Sequence, residues 1–254
     1  MLVVMTVATS AIRGVPRFLE SCRKFGIAPI VLGRGQPWRG FGLKLGLVRD
    51  ELARRRRRDA IMLFADACDS LVVRPPDVIL AAYRAFRSPL VFSAERWCSP
   101  DPWKAFLYPS PRERYRFLNA GGYMGDMETI YGFLKTLPCK DPFWVDDQRW
   151  WTDRYLEHRD VIRLDIRCRI FQALHGTGRD VVFRKGFYNA STRTRPSVLH
   201  GNGGVDMRRV LAWSARLPGA CQGPRASTSM PAIWGSSATR PKAMSSAPSS
   251  TRSM

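Results

Sequence analysis

No apolar stretch in this chain approaches the roughly 20 consecutive residues that span a bilayer, so no membrane helix is expected. The six cysteines (Cys22, Cys68, Cys98, Cys139, Cys168 and Cys221) include no CxxC and no Cys/His zinc spacing, which argues against both a disulfide scaffold and a structural zinc site. Histidine is scarce, with 3 in 254 residues, so the setting of each can be weighed. Acidic residues are also the minority charge, 21 against 41 Lys and Arg, for a net charge of +20. The apolar opening Met1–Thr9 lacks a basic leader segment, and its β-branched content suits a buried strand. A reduced, cytoplasmic compartment is therefore the default expectation.

A cation surplus of this size raises nucleic-acid binding, because Lys and Arg neutralise phosphates. The distribution argues otherwise. The densest run, Arg54 to Arg58, follows Glu51-Leu52-Ala53 at the end of an expected helix, where cations complement the dipole and face solvent. No specific nucleic-acid site is expected.

The length suits one catalytic domain with an appendage. Up to about Asp206 short apolar runs alternate with helical patterns, the mark of an α/β fold with a mostly parallel central sheet flanked by helices. Strands are expected at 2–7, 29–32, 60–64 and 89–94, and helices around 16–22 and 44–53. Phe117 to Gly125 reads as a strand-turn element whose paired glycines let the backbone approach something closely. Beyond Asp206 the composition shifts to Ser, Pro, Ala, Arg and Gly. A domain over 1–206 and a basic, disordered tail over 207–254 follow, with room for one short helix from Arg208 to Trp213.

Three acidic or imidazole constellations carry chemistry. Asp66 and Asp69 stand just past an apolar strand, and two hard oxygen donors beside a nucleotide pocket can hold Mg²⁺ or Mn²⁺. Taken alone, the pair reads equally as an Asx turn with Asp69 capping the next helix. His200, in His200-Gly201-Asn202-Gly203, follows the apolar Val198-Leu199 and could complete an Asp/Asp/His metal site, or be held by hydrogen bonds in a turn. Asp146 and Asp147 open an aromatic helix, where they can cap it, or address sugar hydroxyls and a developing oxocarbenium charge. His158-Arg159-Asp160 lacks the companions of a kinase catalytic loop, and His175 reads as part of a polar turn.

In order, Thr6-Val7-Ala8-Thr9, Leu32-Gly33-Arg34-Gly35 with Trp38-Arg39-Gly40, Lys44, Phe64 to Asp69, Phe92 to Glu95, Phe117-Leu118-Asn119, Asp146-Asp147-Gln148, Arg169 to Gln172 and His200 to Gly203 resemble the blocks of one family. It is the glycosyltransferase domain of the procollagen lysyl hydroxylases, related to the collagen galactosyltransferases and to similar viral proteins. Coverage runs over about residues 2 to 204. The resemblance implies a GT-A fold, a UDP-sugar donor (UDP-glucose or UDP-galactose) and Mn²⁺ held by Asp66, Asp69 and His200. It further implies Thr6 and Trp38 near the nucleoside, Lys44 near the phosphates, and Asn119, Asp146 and Asp147 around the donor sugar and reacting centre, with Asn202 and Gly203 on the diphosphate side. The implied acceptor is hydroxylysine or galactosyl-hydroxylysine of a collagen-like protein, with retention of configuration in the glucosyl transfer. Relatives of this kind work in the lumen of the endoplasmic reticulum.

The chain departs from the family at several positions. Cys68 stands where an aromatic residue usually separates the two aspartates, Ser99 replaces the tryptophan of a Cys-Trp-Pro block with Trp97 nearby, Phe41 and Leu43 interrupt a glycine run, and Gly204 stands where proline is common. These changes motivate a second expectation, a catalytically weakened relative that binds a nucleotide sugar.

Overall fold

The computed structural model describes residues 1–9, 14–109, 112–138 and 144–218. Its main sheet holds six strands: β1 (Leu2–Val7), β2 (Ile30–Leu32), β3 (Ile61–Ala65), β5 (Leu90–Glu95), β6 (Phe117–Asp126) and β7 (Ile162–Asp165), in the order β2-β1-β3-β6-β5-β7. β1 pairs in parallel with β2 and β3, and β5 with β7, while β6 runs antiparallel between β3 and β5. Five strands therefore point one way and one is reversed, the mostly parallel α/β sheet of GT-A type expected from the sequence.

Both faces of the sheet are covered, which is why its strands read as continuous apolar runs. On β3, Met62 and Phe64 enter one core with Leu45, Val48 and Leu52 of α2 (Gly42–Arg55), Ile130 of α4 (Met127–Leu134) and Trp151 of α5 (Asp147–Glu157). Leu63 and Ala65 enter the opposite core, with Phe18 of α1 (Gly14–Arg23) and Ile79 of α3 (Pro76–Arg84). This alternation is the two-residue period of a strand. Phe64, Tyr123, Phe92 and Trp151 form one buried ring cluster with centroids 4.8–5.5 Å apart.

A second sheet, β4 (Ser70–Val72), β11 (Val198–His200) and β8 (Phe171–Ala173), brings the His200 segment against the Asp69 segment, and β9 (Val181–Phe183) and β10 (Phe187–Asn189) form a hairpin. Helix α6 (Arg208–Ser214) lies beyond the expected boundary at 206. Its Val210 is buried in a core with Leu71 and Leu199. Residues 219–254 of the expected tail, Cys139, Cys221 and Phe143 lie outside the described residues.

One element differs from expectation. Phe117–Asp126 is a continuous strand and not a strand-turn unit. Its glycines serve the close approach instead: a Cβ on Gly121 would fall 2.1 Å from the His200 ring, and one on Gly122 would fall 2.8 Å from the Phe171 ring. A bulge against β5 between Phe92 and Ser93 absorbs the extra residues.

The basic run is engaged locally. Arg54 and Arg55 pair with Glu51 at 3.0 and 3.1 Å, Arg56 with Glu128, and Arg57 with Asp59. Among the described residues no helix is long and apolar enough to cross a membrane.

Candidate active site

The expected site residues gather where β1, β3 and β5 end, and because β6 is reversed its amino-terminal part delivers Asn119 to the same edge. The exit of β3 is fixed first. Thr6 Oγ1 donates to the Ala65 carbonyl at 2.6 Å, and the Asp66 N–H donates to the Gly121 carbonyl at 3.0 Å. The Asp66 carboxylate then accepts from Lys44 Nζ at 2.9 and 3.0 Å, and the same ammonium reaches Asp147 Oδ2 at 2.7 Å. Burial disfavours a charged Lys44, but Asp66 and Asp147 outweigh it and hold the pKa above the ordinary lysine value. Burial pushes the Asp147 carboxyl up, with Lys44 pulling the other way.

A second pair stands beside the first. His200 Nε2 lies 3.2 Å from Asp69 Oδ1, and Nδ1 lies 3.0 Å from Asn119 Oδ1. That Asn119 atom also accepts from the Gly121 N–H at 3.2 Å, so it is the amide oxygen and His200 Nδ1 must be the donor. Nε2 is thereby aimed at a carboxylate. A bare lone pair facing Asp69 would be repelled, so the contact requires a cation between them, a proton or a metal ion. Burial disfavours the imidazolium, but the Asp69 hydrogen bond and charge outweigh it and raise the His200 pKa. Asp69 is held below the ordinary carboxylate value by His200 despite its own burial.

The three expected metal ligands thus form two pairs rather than one cluster, and among the described residues no three His, Cys, Asp or Glu side chains converge on a point that would hold an ion. Their chemistry nonetheless fits a divalent cation: two carboxylates at one strand exit and an imidazole whose free nitrogen is fixed by its other hydrogen bond.

The paired aspartates sit in different surroundings. Asp146 caps α5 by accepting from the Arg149 N–H at 2.8 Å, whereas Asp147 is buried and bound to Lys44. Trp38 is half exposed and packs edge-on against Phe41, 5.8 Å between centroids, with Lys44 Nζ 5.6 Å from the Phe41 ring. This aromatic corner lies at the mouth of the site.

Two further expected site residues have their side chains hydrogen-bonded within the fold. Thr6 is fully buried, with its hydroxyl donated to Ala65, so it shapes the Asp66 exit. Asn202 is also buried: its Oδ1 accepts from the Leu174 and His175 N–H groups at 3.1 Å, and its Nδ2 donates to Glu95 Oε2 at 2.8 Å. Gly203 has φ +67, and a Cβ there would meet His175 Nδ1 at 2.7 Å, so the turn closes onto the 174–178 segment. His175 lies in that polar turn, as read from the sequence.

The residue that sequence reasoning passed over is Glu95. It is buried at the end of β5 and accepts from Asn119 Nδ2 at 3.1 Å, Gln148 Nε2 at 2.9 Å and Asn202 Nδ2 at 2.8 Å. Burial pushes its carboxyl up against these hydrogen bonds. The available signal was an acidic residue closing an apolar strand, as at Asp66. Of the departures, Cys68 is exposed in the turn between the aspartates, Ser99 contributes its carbonyl to Gln148 Nε2 at 2.8 Å, and Trp97 lies against Gly176.

The sheet order is that of a GT-A type fold, and carboxylates, an ammonium and an imidazole gather at its strand exits. The chain belongs to the PLOD GT domain family, whose model matches residues 1–210. It is 32% identical to a procollagen-lysine,2-oxoglutarate 5-dioxygenase of Drosophila melanogaster, covering 86% of this chain and 33% of that one. It is 35% identical to the multifunctional procollagen lysine hydroxylase and glycosyltransferase LH3 of Rattus norvegicus, covering 80% of this chain and 29% of that one. It is also 32% identical to the uncharacterized protein R699 of Acanthamoeba polyphaga mimivirus, covering 75% and 43%. The chain therefore spans a minor part of the curated relatives it matches. A solved glycosyltransferase involved in glycosylation of the major capsid of PBCV-1 aligns with 84% of this chain and 98% of its own, at 10% identity and a TM-score of 0.48.

Proposed function

We propose that this chain is a Mn²⁺-dependent hexosyltransferase that moves glucose or galactose from a UDP-sugar to a hydroxyl acceptor, hydroxylysine or galactosyl-hydroxylysine of a collagen-like polypeptide. The observation that carries the reading is the fixed tautomer of His200, whose Nε2 is aimed at Asp69 beside the Asp66 exit. Two of the curated relatives carry procollagen lysine hydroxylase or dioxygenase names, which makes a collagen-like acceptor and the lumen of the endoplasmic reticulum the setting to test.

Asp66, Asp69 and His200 would hold Mn²⁺, which would supply positive charge for the departing diphosphate. The protein groups do the rest. Lys44 holds a permanent positive charge at the phosphate side, and Asn119 keeps His200 Nδ1 protonated so that Nε2 stays available. Asp147 presents a desolvated carboxylate to the sugar hydroxyls and to oxocarbenium-like charge, where a buried anion is worth more than in water. Trp38 and Phe41 offer ring surface to the nucleobase at the mouth.

The test pairs activity with binding. Turnover of UDP-glucose and UDP-galactose should require Mn²⁺, and Mn²⁺ with UDP should raise the melting temperature of the wild type but not of Asp66→Ala or Asp69→Ala. Stabilisation without turnover would leave the weakened nucleotide-sugar-binding relative as the correct reading. No stabilisation by any Mn²⁺ and UDP-sugar combination would refute both.

A further inference from the structure

The hairpin of β9 and β10 has two unlike faces. Val181, Phe183 and Phe187 turn to the core shared with α6, whose Trp213 lies 6.1 and 6.2 Å from the two phenylalanine rings. Tyr188 pairs with Val182 in the register, so it stands on the other face. Cations gather around its ring. The guanidinium carbons of Arg184 and Arg195 lie 5.7 and 5.6 Å from the Tyr188 centroid. Arg195 Nη1 donates to the Arg184 carbonyl at 2.9 Å, and Arg74 Nη1 donates to the Arg195 carbonyl at 3.4 Å. Lys185 adds a further charge at the turn, which the Arg184 N–H closes onto the Gly186 carbonyl at 2.8 Å.

Nothing within the fold balances this charge. Among the described residues none of Arg74, Arg184, Lys185 and Arg195 forms a salt bridge. Asp180, at the entry to β9, is taken by Arg114 at 2.6 Å and by the Tyr115 hydroxyl at 2.8 Å. Residues 219–254 contain no Asp or Glu, so the tail brings no carboxylate side chain to the cluster. The like charges act on one another: burial and the charge of Arg195 hold the Arg74 guanidinium below its ordinary value, with Asp77 pulling the other way. Each carbonyl bond meanwhile fixes a guanidinium fork and leaves further N–H donors for a ligand.

We propose that the outer face of this hairpin binds a phosphate monoester, whose oxygens are shared by the forks of Arg184 and Arg195 and by the Arg74 guanidinium. The ligand class follows from charge density. Carboxylates, sulfate esters and phosphodiesters bring a single charge per group, whereas a phosphate monoester brings about −1.5 to −2 to one point near pH 7, where several guanidiniums meet. A single-stranded nucleic acid would also need an open ring on which to stack a base, and Tyr188 is half-buried with guanidiniums over it. None of these residues belongs to the Asp66, Asp69 and His200 constellation, so the site stands or falls apart from the transferase reading.

Isothermal titration of the full chain with glucose 6-phosphate and with a phosphoserine peptide tests this, and the tighter of the two names the source of the monoester. Arg184→Gln/Arg195→Gln should weaken that binding about tenfold or more. Arg159→Gln/Arg163→Gln removes the same charge from exposed positions elsewhere and should stay within about twofold of wild type. Wild-type affinity should fall between about pH 7.5 and about pH 5, as the ligand takes up its second proton near pH 6. Should the Gln pair melt early, Arg184→Lys/Arg195→Lys decides: it keeps the charge, loses the forks and should weaken binding about threefold or more. Wild-type affinity in that variant overturns the proposal, as does equal loss in the Arg159/Arg163 control or an affinity that ignores pH. Hairpin-dependent binding of heparin or an oligonucleotide, with neither monoester bound, overturns it by naming another ligand.

Discussion

The Lys44 ammonium stands 2.7 Å from the Asp147 carboxylate, with both side chains nearly out of solvent, and it is shared with Asp66. Removing one member leaves a buried charge without its partner, which costs more than the pair contributes. Lys44→Met should therefore lower unfolding stability by about 3–5 kcal/mol. Adding Asp147→Asn should recover part of that loss, since the stranded anion is then gone. Urea melts of the two singles and the double give the coupling; additive losses would show that the two groups do not depend on one another.

Asp146 and Asp147 are adjacent but predicted to respond differently. Asp146 accepts from the Arg149 N–H as a helix cap, a task Asn performs nearly as well, so Asp146→Asn should change stability and turnover little, while Asp146→Ala loses about 1 kcal/mol. Asp147→Asn keeps the volume but removes the anion proposed to face the sugar, and turnover should fall on the order of 100-fold or more with UDP affinity largely kept. Near-normal turnover in Asp147→Asn would exclude it from the chemistry.

Gly121 is required by His200. A methyl group 2.1 Å from the imidazole Cε1 cannot be accommodated without moving the ring off Asn119 and Asp69. Gly121→Ala should cost about 1–3 kcal/mol and abolish stabilisation by Mn²⁺ with UDP. A variant that melted normally and still responded to Mn²⁺ would mean that the ring has somewhere else to go.

Asp165 is fully buried at the end of β7; its Oδ1 accepts from the Arg169 N–H at 2.8 Å and its Oδ2 from the Ile170 and Phe171 N–H groups at 2.6 and 2.9 Å. Burial pushes its carboxyl up to about 6, against the pull of those three donors. An acid with a higher pKa folded than unfolded binds its proton more tightly in the native state. Its favourable contribution is present below about 4 and is lost as pH rises to about 6. Asp165→Asn abolishes the titration and sets an NH₂ against a backbone donor, so the variant should be the less stable, most so near pH 4. The deficit should narrow by on the order of 3 kcal/mol by pH 7, and a deficit independent of pH would assign the carboxyl an ordinary pKa.

The strands were legible because a sheet covered on both faces writes each one as an apolar run, and Ile61–Ala65 and Leu90–Glu95 lie within a residue of where the sequence places them. The Asp66, Asp69 and His200 positions were legible as polar residues closing such runs. What could not be read was the division of labour within the site. That Thr6 and Asn202 spend their polar atoms on backbone and on Glu95, and that Asp146 caps while Asp147 turns inward, depends on contacts between residues up to 107 apart in the chain. The Gly121–Gly122 pair misled for a related reason: a glycine that makes room for a distant ring looks, in sequence, like a glycine that makes a turn.

Glu95 has a consequence for what the chain can tolerate. Three side-chain amides, from a strand, a helix and a turn, all point N–H groups at its two oxygens. Glutamine matches it in shape, yet would replace one acceptor with a fourth donor, and aspartate would draw the oxygens back by a methylene from all three. The position is a keystone with no near synonym among the twenty side chains. Its neighbours can drift only in ways that keep every amide facing inward, so this acceptor hub should constrain the site as tightly as Asp66, Asp69 and His200 do.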